Sequence, residues 1–245
     1  MTRISVGDAS LTNILARQGA ELRGQVQRAS QEVATGRHAD IGAALRGDFA
    51  PLLAVDASLA RLAAYKSNTA DTAFQTAVQQ AAISGLSDLA SGISTTLLGA
   101  KNSTPVQIDT LAADAKGRLA SAIGLLNTQA SGRAVFSGVA TGSVPLGPVE
   151  DMLAALQTAA TGATTAGQVA AAVTGWFADP LGFGAFYQGG GPLSATPITQ
   201  GEAAEVSTTA TDPALRDTLA GFAMAALLDR GVLAGDATER GRLAQ

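Results

Sequence analysis

The stretch PLLAVDASLARLAAYKSNTADTAFQTAVQQAAISGLSDLASGISTTL, residues 51–97, carries apolar side chains at helical spacing over its whole length. Pro51 suits the first turn of a helix, and no proline follows it within the stretch. The pattern is far longer than the roughly 11 or 12 residues of a mean globular helix, and it predicts a coiled coil or an elongated bundle. The positions in register are Leu52, Val55, Leu59, Leu62, Tyr65, Thr69, Phe74, Val78, Ala82, Leu86, Leu89, Ile93 and Leu97.

An earlier segment predicts a first helix that Asp8 or Ser10 can cap and that ends near Gly36. Its apolar residues form one narrow stripe on an otherwise polar surface, which is typical of a helix that packs on another helix. No complete partner for this stripe is evident in the chain, so we predict that it is an assembly interface. The predicted interface residues are Leu11, Leu15, Leu22, Val26 and Val33.

Residues 37–47 contain several helix breakers and predict an irregular connection. A third helix is expected after a turn at residues 101–103, with Ser103 or Thr104 as its cap, Pro105 in its first turn and its end near Gly132. Because the turn is short, this helix should run antiparallel to its predecessor. Residues 1–133 are therefore predicted to form the N-terminal part of an elongated antiparallel helical rod.

The sequence changes character at residues 134–212, which contain no Lys or Arg and six acidic residues. Here we expect a short strand at residues 134–138, two short helices, and a hairpin of residues 193–198 and 204–209. This segment is predicted to be a small α+β outer domain on a mainly α protein. Residues 213–245 predict a helix that returns to the rod, followed by a further helix that a capping box of Asp236 and Glu239 begins.

Bulk composition excludes several classes of protein. The net charge of −4 and the pI near 4.9 argue against nucleic-acid binding. The absence of cysteine excludes disulfides and thiolate metal sites. The N-terminus lacks the apolar run of a secretory signal, and the most apolar stretch, residues 219–228, is too short to span a membrane. Few aromatic residues are present to line a cavity for a small-molecule substrate.

Candidate catalytic and ligand-binding residues are few. His38 stands alone in a polar segment, which favours a solvated loop residue over a general base or ligand. Gly189–Gly191 lacks the Lys and the following helix of a phosphate-binding loop, and is interpreted as a turn. The acidic residues of segment 134–212 could supply a carboxylate pair, so a hydrolase stays open as an alternative. We predict a protein that is not an enzyme, with no catalytic, cofactor-binding or metal-binding residues.

Four stretches in chain order resemble the flagellin family. LNTQASGRAVFSGVATGSVP, residues 126–145, is similar to the family's transition from a rod helix to the outer domain. QEVATGRH, residues 31–38, resembles the end of the family's first helix. FYQGGG, residues 186–191, resembles the entry to a hairpin. EVSTTATDPALRDTLAGFAMAALL, residues 205–228, is similar to the family's return into the rod.

The resemblance implies a structural subunit of the bacterial flagellum that joins the hook to the filament, with a filament subunit of the same family as the alternative. It implies extracellular localisation after export without a cleavable signal peptide. The expected partners are neighbouring flagellar subunits, copies of the chain and an export chaperone. The family's C-terminal pairing helix is nearly missing before Gln245, so we expect the isolated chain to be a soluble monomer or weak oligomer.

Overall fold

The computed structural model describes residues 6–98 and 104–244 and is mainly helical. Its contacts divide the chain into two compact units, Met1–Leu62 and Ala63–Gln245. The predicted domain boundaries after residues 133 and 212 do not coincide with this division and stay a prediction.

Helix α1 spans Val6–Thr35 and ends where the sequence predicts, but the predicted cap at Asp8 or Ser10 is wrong, because the helix begins before both residues. Gly36 follows it with a φ of 66°, a left-handed conformation that glycine adopts without strain, and its N–H donates to Glu32 O (2.8 Å). The connection after it contains one helical turn, α2, Ile41–Ala44. Asp40 lies in the segment that was expected to be irregular, but its side chain accepts from Ala43 N (3.0 Å) and caps this helical turn.

The long helix is confirmed as α3, Ala50–Leu98, and is followed by α4, Pro105–Leu126. The predicted turn at residues 101–103 lies outside the described residues. At the start of α4, the Gln107 side chain accepts from Thr104 N (2.7 Å).

The end predicted for the third helix near Gly132 is wrong by several residues. The Asn127 side chain instead bridges the backbone N and O of Leu146 (3.0 and 2.9 Å) and draws the chain away from the helix. A hairpin of β1, Gln129–Ala130, and β2, Arg133–Ala134, then turns through Ser131 and Gly132, both with positive φ.

Helices α3 and α4 run antiparallel, as predicted. The Leu125 side chain lies against Gly85, and the Arg118 side chain lies against Gly92. Residue numbers therefore rise along α3 as they fall along α4. Arg118 Nη1 also donates to Leu89 O (3.2 Å).

The rest of the chain adds short elements around α4. They are α5 Val149–Ala159, α6 Ala166–Ala178, α7 Phe183–Phe186, β3 Thr196–Thr199, β4 Glu202–Ala204, α8 Pro213–Ala226 and α9 Ala237–Leu243. The predicted hairpin is confirmed as the antiparallel pair β3–β4, but the position predicted for its second strand, residues 204–209, is wrong, because β4 ends at Ala204. The strand predicted at residues 134–138 is wrong beyond Ala134, because the next carbonyls bind side chains and a distant backbone N–H instead of a strand.

One hydrophobic core joins segments that the sequence assigns to different domains. Leu119 and Leu126 of α4, Val169 of α6 and Leu219 of α8 are fully buried in it. Beside them lies a cluster of aromatic rings with centroids 5.1–6.5 Å apart. Its members are Trp176, Phe177, Phe183 and Phe186.

Helix α9 attaches the C-terminal segment to this core. Asp236 caps it by accepting from Thr238 N and Glu239 N, as predicted. In a capping box, the Glu239 side chain would accept from the backbone N of Asp236, but the structure shows another partner. Glu239 is buried, and its Oε2 accepts from Ala166 N (2.7 Å) in the first turn of α6, where a carboxylate also interacts favourably with the helix dipole.

Two of the motif stretches meet backbone to backbone. Val139 N donates to Gly191 O (2.9 Å), and Gly190 N donates to Ser137 O (2.8 Å). Gly138 lies between them with a φ of 58°, and a Cβ placed on it would lie 2.1 Å from Gly191 O. The glycine run is therefore a close packing contact as well as a turn.

Replacing Gly138 by alanine should lower the free energy of unfolding by about 2–4 kcal/mol, because left-handed strain adds to a clash with backbone. Gly142→Ala is the matched control, since open space surrounds that residue, and it should be nearly neutral. Urea unfolding followed by circular dichroism measures both variants. Equal stabilities would contradict this packing.

Candidate assembly surface

All five residues of the predicted assembly interface lie on α1, and we call them the α1 stripe. Their exposed fractions run from 57% for Leu11 to 86% for Val33. At about 100° per residue, they fall within about 60° of the helix circumference. A narrow line of large apolar side chains thus faces water in the single chain. That it contacts a neighbouring molecule stays a prediction.

A second apolar line lies on the first turns of α3, and we call it the α3 stripe. Leu52, Val55, Leu59 and Leu62 are 37%, 55%, 59% and 61% exposed. They follow one another at spacings of three, four and three residues, which is the repeat of a coiled-coil seam. These residues keep the predicted helical register but lie outside the predicted assembly interface.

The two stripes are large enough to matter energetically. Full burial of a Leu or Val side chain contributes about 1.5–3 kcal/mol, and these nine are on average roughly half exposed, so their burial represents on the order of 10 kcal/mol per chain. Association itself costs about 4–15 kcal/mol in lost freedom. Contacts through the stripes should therefore give concentration-dependent association. A helix with no cover on its apolar side is also only marginally stable in water.

His38 lies beside the end of α1 rather than in a catalytic setting. Its side chain is 72% exposed, and its Nδ1 lies 3.8 Å from Glu32 Oε1. The same carboxylate oxygen accepts from Ala39 N (2.9 Å), which fastens the connection to α1. Among the residues of 6–98 and 104–244, no group of three His, Cys, Asp or Glu side chains is placed to hold a metal ion.

Two of the six acidic residues of segment 134–212, Glu150 and Asp179, have structural contacts. Glu150 lies 3.1 Å from Lys116 Nζ and pairs with Arg230, and Lys116 also lies 3.4 Å from Asp229. The hydrogen bond and the negative charge of Glu150 raise the pKa of the Lys116 ammonium above its ordinary value. Asp179 accepts from Leu181 N (2.9 Å) just after α6. Glu150 therefore faces cations, and the carboxylate pair that the hydrolase alternative requires stays a prediction.

Two amide side chains of α3 bind distant segments: Gln79 binds two of the motif stretches, and Asn68 binds strand β3. Gln79 is buried, and its Nε2 donates to Val135 O (2.6 Å) and Thr208 O (3.2 Å). Asn68, three turns earlier, donates from Nδ2 to Pro197 O (2.9 Å). The only signal in the sequence is a polar residue next to an apolar register position, which is too common to identify a contact.

Tyr187 completes the contact between the motif stretches. Its hydroxyl donates toward Phe136 O (3.3 Å) and Gly190 O (3.0 Å). Burial raises the pKa of this phenol, which keeps it in the neutral form that can donate. Phe136 O also accepts from Ala210 N (2.9 Å). The sequence stretches around residues 136, 187 and 210 therefore share one hydrogen-bonded junction.

Comparison with known proteins adds no relative. No protein-family model matches the chain, and neither does any curated protein or solved structure. Within the described residues, every helix is too short or too polar to cross a membrane. Function is therefore inferred from the residues, their geometry and the resemblance of the four motif stretches.

Adding carboxylates to the α1 stripe should prevent self-association. In Leu15→Asp/Leu22→Asp, burial of the stripe would require desolvating two charges, so we expect an association constant at least about tenfold lower, or ~1.4 kcal/mol. Sedimentation velocity over a range of protein concentrations measures this.

The control is Asn13→Asp/Ala20→Asp, which places the same charges on the opposite side of α1. It should associate like the unaltered chain. Association of the stripe variant at an unchanged concentration would show that α1 contacts its neighbours by another surface.

Proposed function

We propose that the chain is a structural subunit of the bacterial flagellum that joins the hook to the filament, similar to the hook-filament junction protein, hook-associated protein 3. It acts by assembly and catalyses no reaction. The observation that carries the proposal is the row of exposed Leu and Val side chains on α1, at the residues where a self-assembling subunit needs apolar contact area.

The hydrogen-bonded junction supports the family resemblance independently of α1. Stretches 126–145, 186–191 and 205–228 are far apart in sequence, and each was noted for its similarity to flagellin motifs. Tyr187, Phe136 and Ala210 bring one residue from each stretch into direct hydrogen bonding. The three stretches therefore occur together in one chain because their residues form one hydrogen-bonded junction.

The partners proposed are copies of this chain and the neighbouring hook-side and filament subunits. Before assembly, an export chaperone covers the apolar helices, and the chain passes through the flagellar export channel without a cleavable signal peptide. It then acts outside the cell. Such a pathway suits apolar helices that are buried only on assembly, because the subunits stay separate until then.

Localisation on cells tests the proposed function. Gold-labelled antibody against residues 63–245 should mark a short zone between hook and filament of the bacterium that encodes the chain. Cells without the gene should make hooks and release filament protein into the medium, because the joining layer is missing. Electron microscopy and immunoblots of the medium measure both effects.

Each alternative gives a different result. Label along the entire filament would identify a filament flagellin instead. Normal filaments on cells without the gene, together with label inside the cell, would overturn the flagellar proposal. Rescue of the deletion by Asn13→Asp/Ala20→Asp but not by Leu15→Asp/Leu22→Asp would tie the function to the α1 stripe.

A further inference from the structure

We propose that the α3 stripe is the docking site for the α1 stripe of a second copy of this chain, with the two helices antiparallel. This inference rests on the proposed function only in that both require assembly through α1. It adds the partner surface, the direction of the helices and their register.

The two stripes match in shape when the helices are aligned antiparallel. With Leu22 opposite Leu59, Val26 falls opposite Val55, because residue numbers fall along one helix as they rise along the other. At the two ends of this alignment, each Leu of the α3 stripe meets a small residue. Leu52 lies opposite Ala29, and Leu62 lies opposite Gly19. Large side chains facing small ones allow close packing between residues 19–29 of α1 and residues 52–62 of α3.

Charge fixes the direction of the pair. Arg23 flanks the α1 stripe, and Asp56 flanks the α3 stripe on the same side when each helix is viewed from its own N-terminus. Flanks of the same side face each other only in an antiparallel pair, so the alignment that matches the apolar residues also brings Arg23 beside Asp56.

The α1 stripe of a second copy is a worse partner for α1. In the centred antiparallel alignment of two α1 helices, Arg23 of one copy falls beside Arg23 of the other, and this like-charge contact opposes pairing. The α3 stripe offers apolar contacts to residues 19–29 of α1 together with an opposite charge. Charge complementarity therefore selects α3 as the surface that covers α1.

A second copy, rather than the same chain, supplies the cover. Within one chain both stripes stay exposed, and Leu22 and Leu59 are 65% and 59% exposed. The connection between the helices is fastened to the end of α1 by Ala39 N and Glu32 Oε1, and Asp40 caps its own helical turn. Exchange between copies covers residues 19–29 of α1 in each chain with residues 52–62 of the other and leaves this connection intact.

Disulfide cross-linking tests the pairing, since the natural chain has no cysteine. One preparation carries Leu22→Cys, and the other carries Leu59→Cys with an affinity tag that changes its mass. Mild oxidation of the mixture should give a disulfide dimer that contains one chain of each kind. Both sites are exposed, so neither substitution removes core packing. The control replaces Leu22→Cys by Ala20→Cys, on the opposite side of α1, and should cross-link several-fold less.

A charge exchange tests the register. Arg23→Glu and Asp56→Arg should each weaken association alone, and the chain that carries both substitutions should recover it. Sedimentation velocity measures the three variants beside the unaltered chain. A double variant that associates no better than the single ones would overturn the proposed alignment.

Three cross-linking results would overturn the inference. These are an absence of mixed dimer, an equal yield with Ala20→Cys, and a cross-link confined within single chains when one chain carries both Leu22→Cys and Leu59→Cys. Failure here is distinct from failure of the proposed function. Label at the hook-filament junction without mixed dimers would leave the flagellar role and reject the copy-to-copy contact, whereas mixed dimers without that label would do the reverse.

Discussion

The nine leucine and valine side chains of the α1 and α3 stripes are exposed to water in the single chain, and the proposed assembly depends on this exposure. A helix with an apolar seam gains most of its stability from what covers that seam, because intrinsic propensity alone leaves it marginal. In the proposed assembly, a neighbouring copy supplies contacts to this seam in the unit Met1–Leu62.

The unit Ala63–Gln245 has the opposite character. Its core is continuous from α3 through α4 to α8, and polar contacts fix the segments between the helices. Gln79 holds two carbonyls from inside, and Glu239 binds the first turn of α6. Loss of either buried side chain would leave polar groups without partners, which is costly in a low-dielectric interior.

The sequence predicted the elements whose signals are local. The length of α3 follows from uninterrupted periodicity. The C-terminal end of α1 before Gly36 and the start of α4 after Thr104 follow from capping chemistry. Predictions failed where a distant contact decided the outcome. Asn127 ends α4 early because it binds Leu146, and the backbone beyond Ala134 leaves the strand conformation because Gln79 and Ala210 bind its carbonyls. The exposure of the α3 stripe could not be predicted, because the periodicity is the same for a buried seam and an exposed one.

Hydrogen–deuterium exchange measured over a range of protein concentrations tests the dependence of α1 on a neighbour most directly. In dilute solution, the backbone amides of α1 and of residues 50–62 should exchange quickly, whereas those of α4 should be protected. As the concentration rises, protection should increase in the first two segments and stay unchanged in α4. Strong protection of α1 that is already complete in the dilute monomer would contradict the account, because the single chain would then cover the stripe by itself.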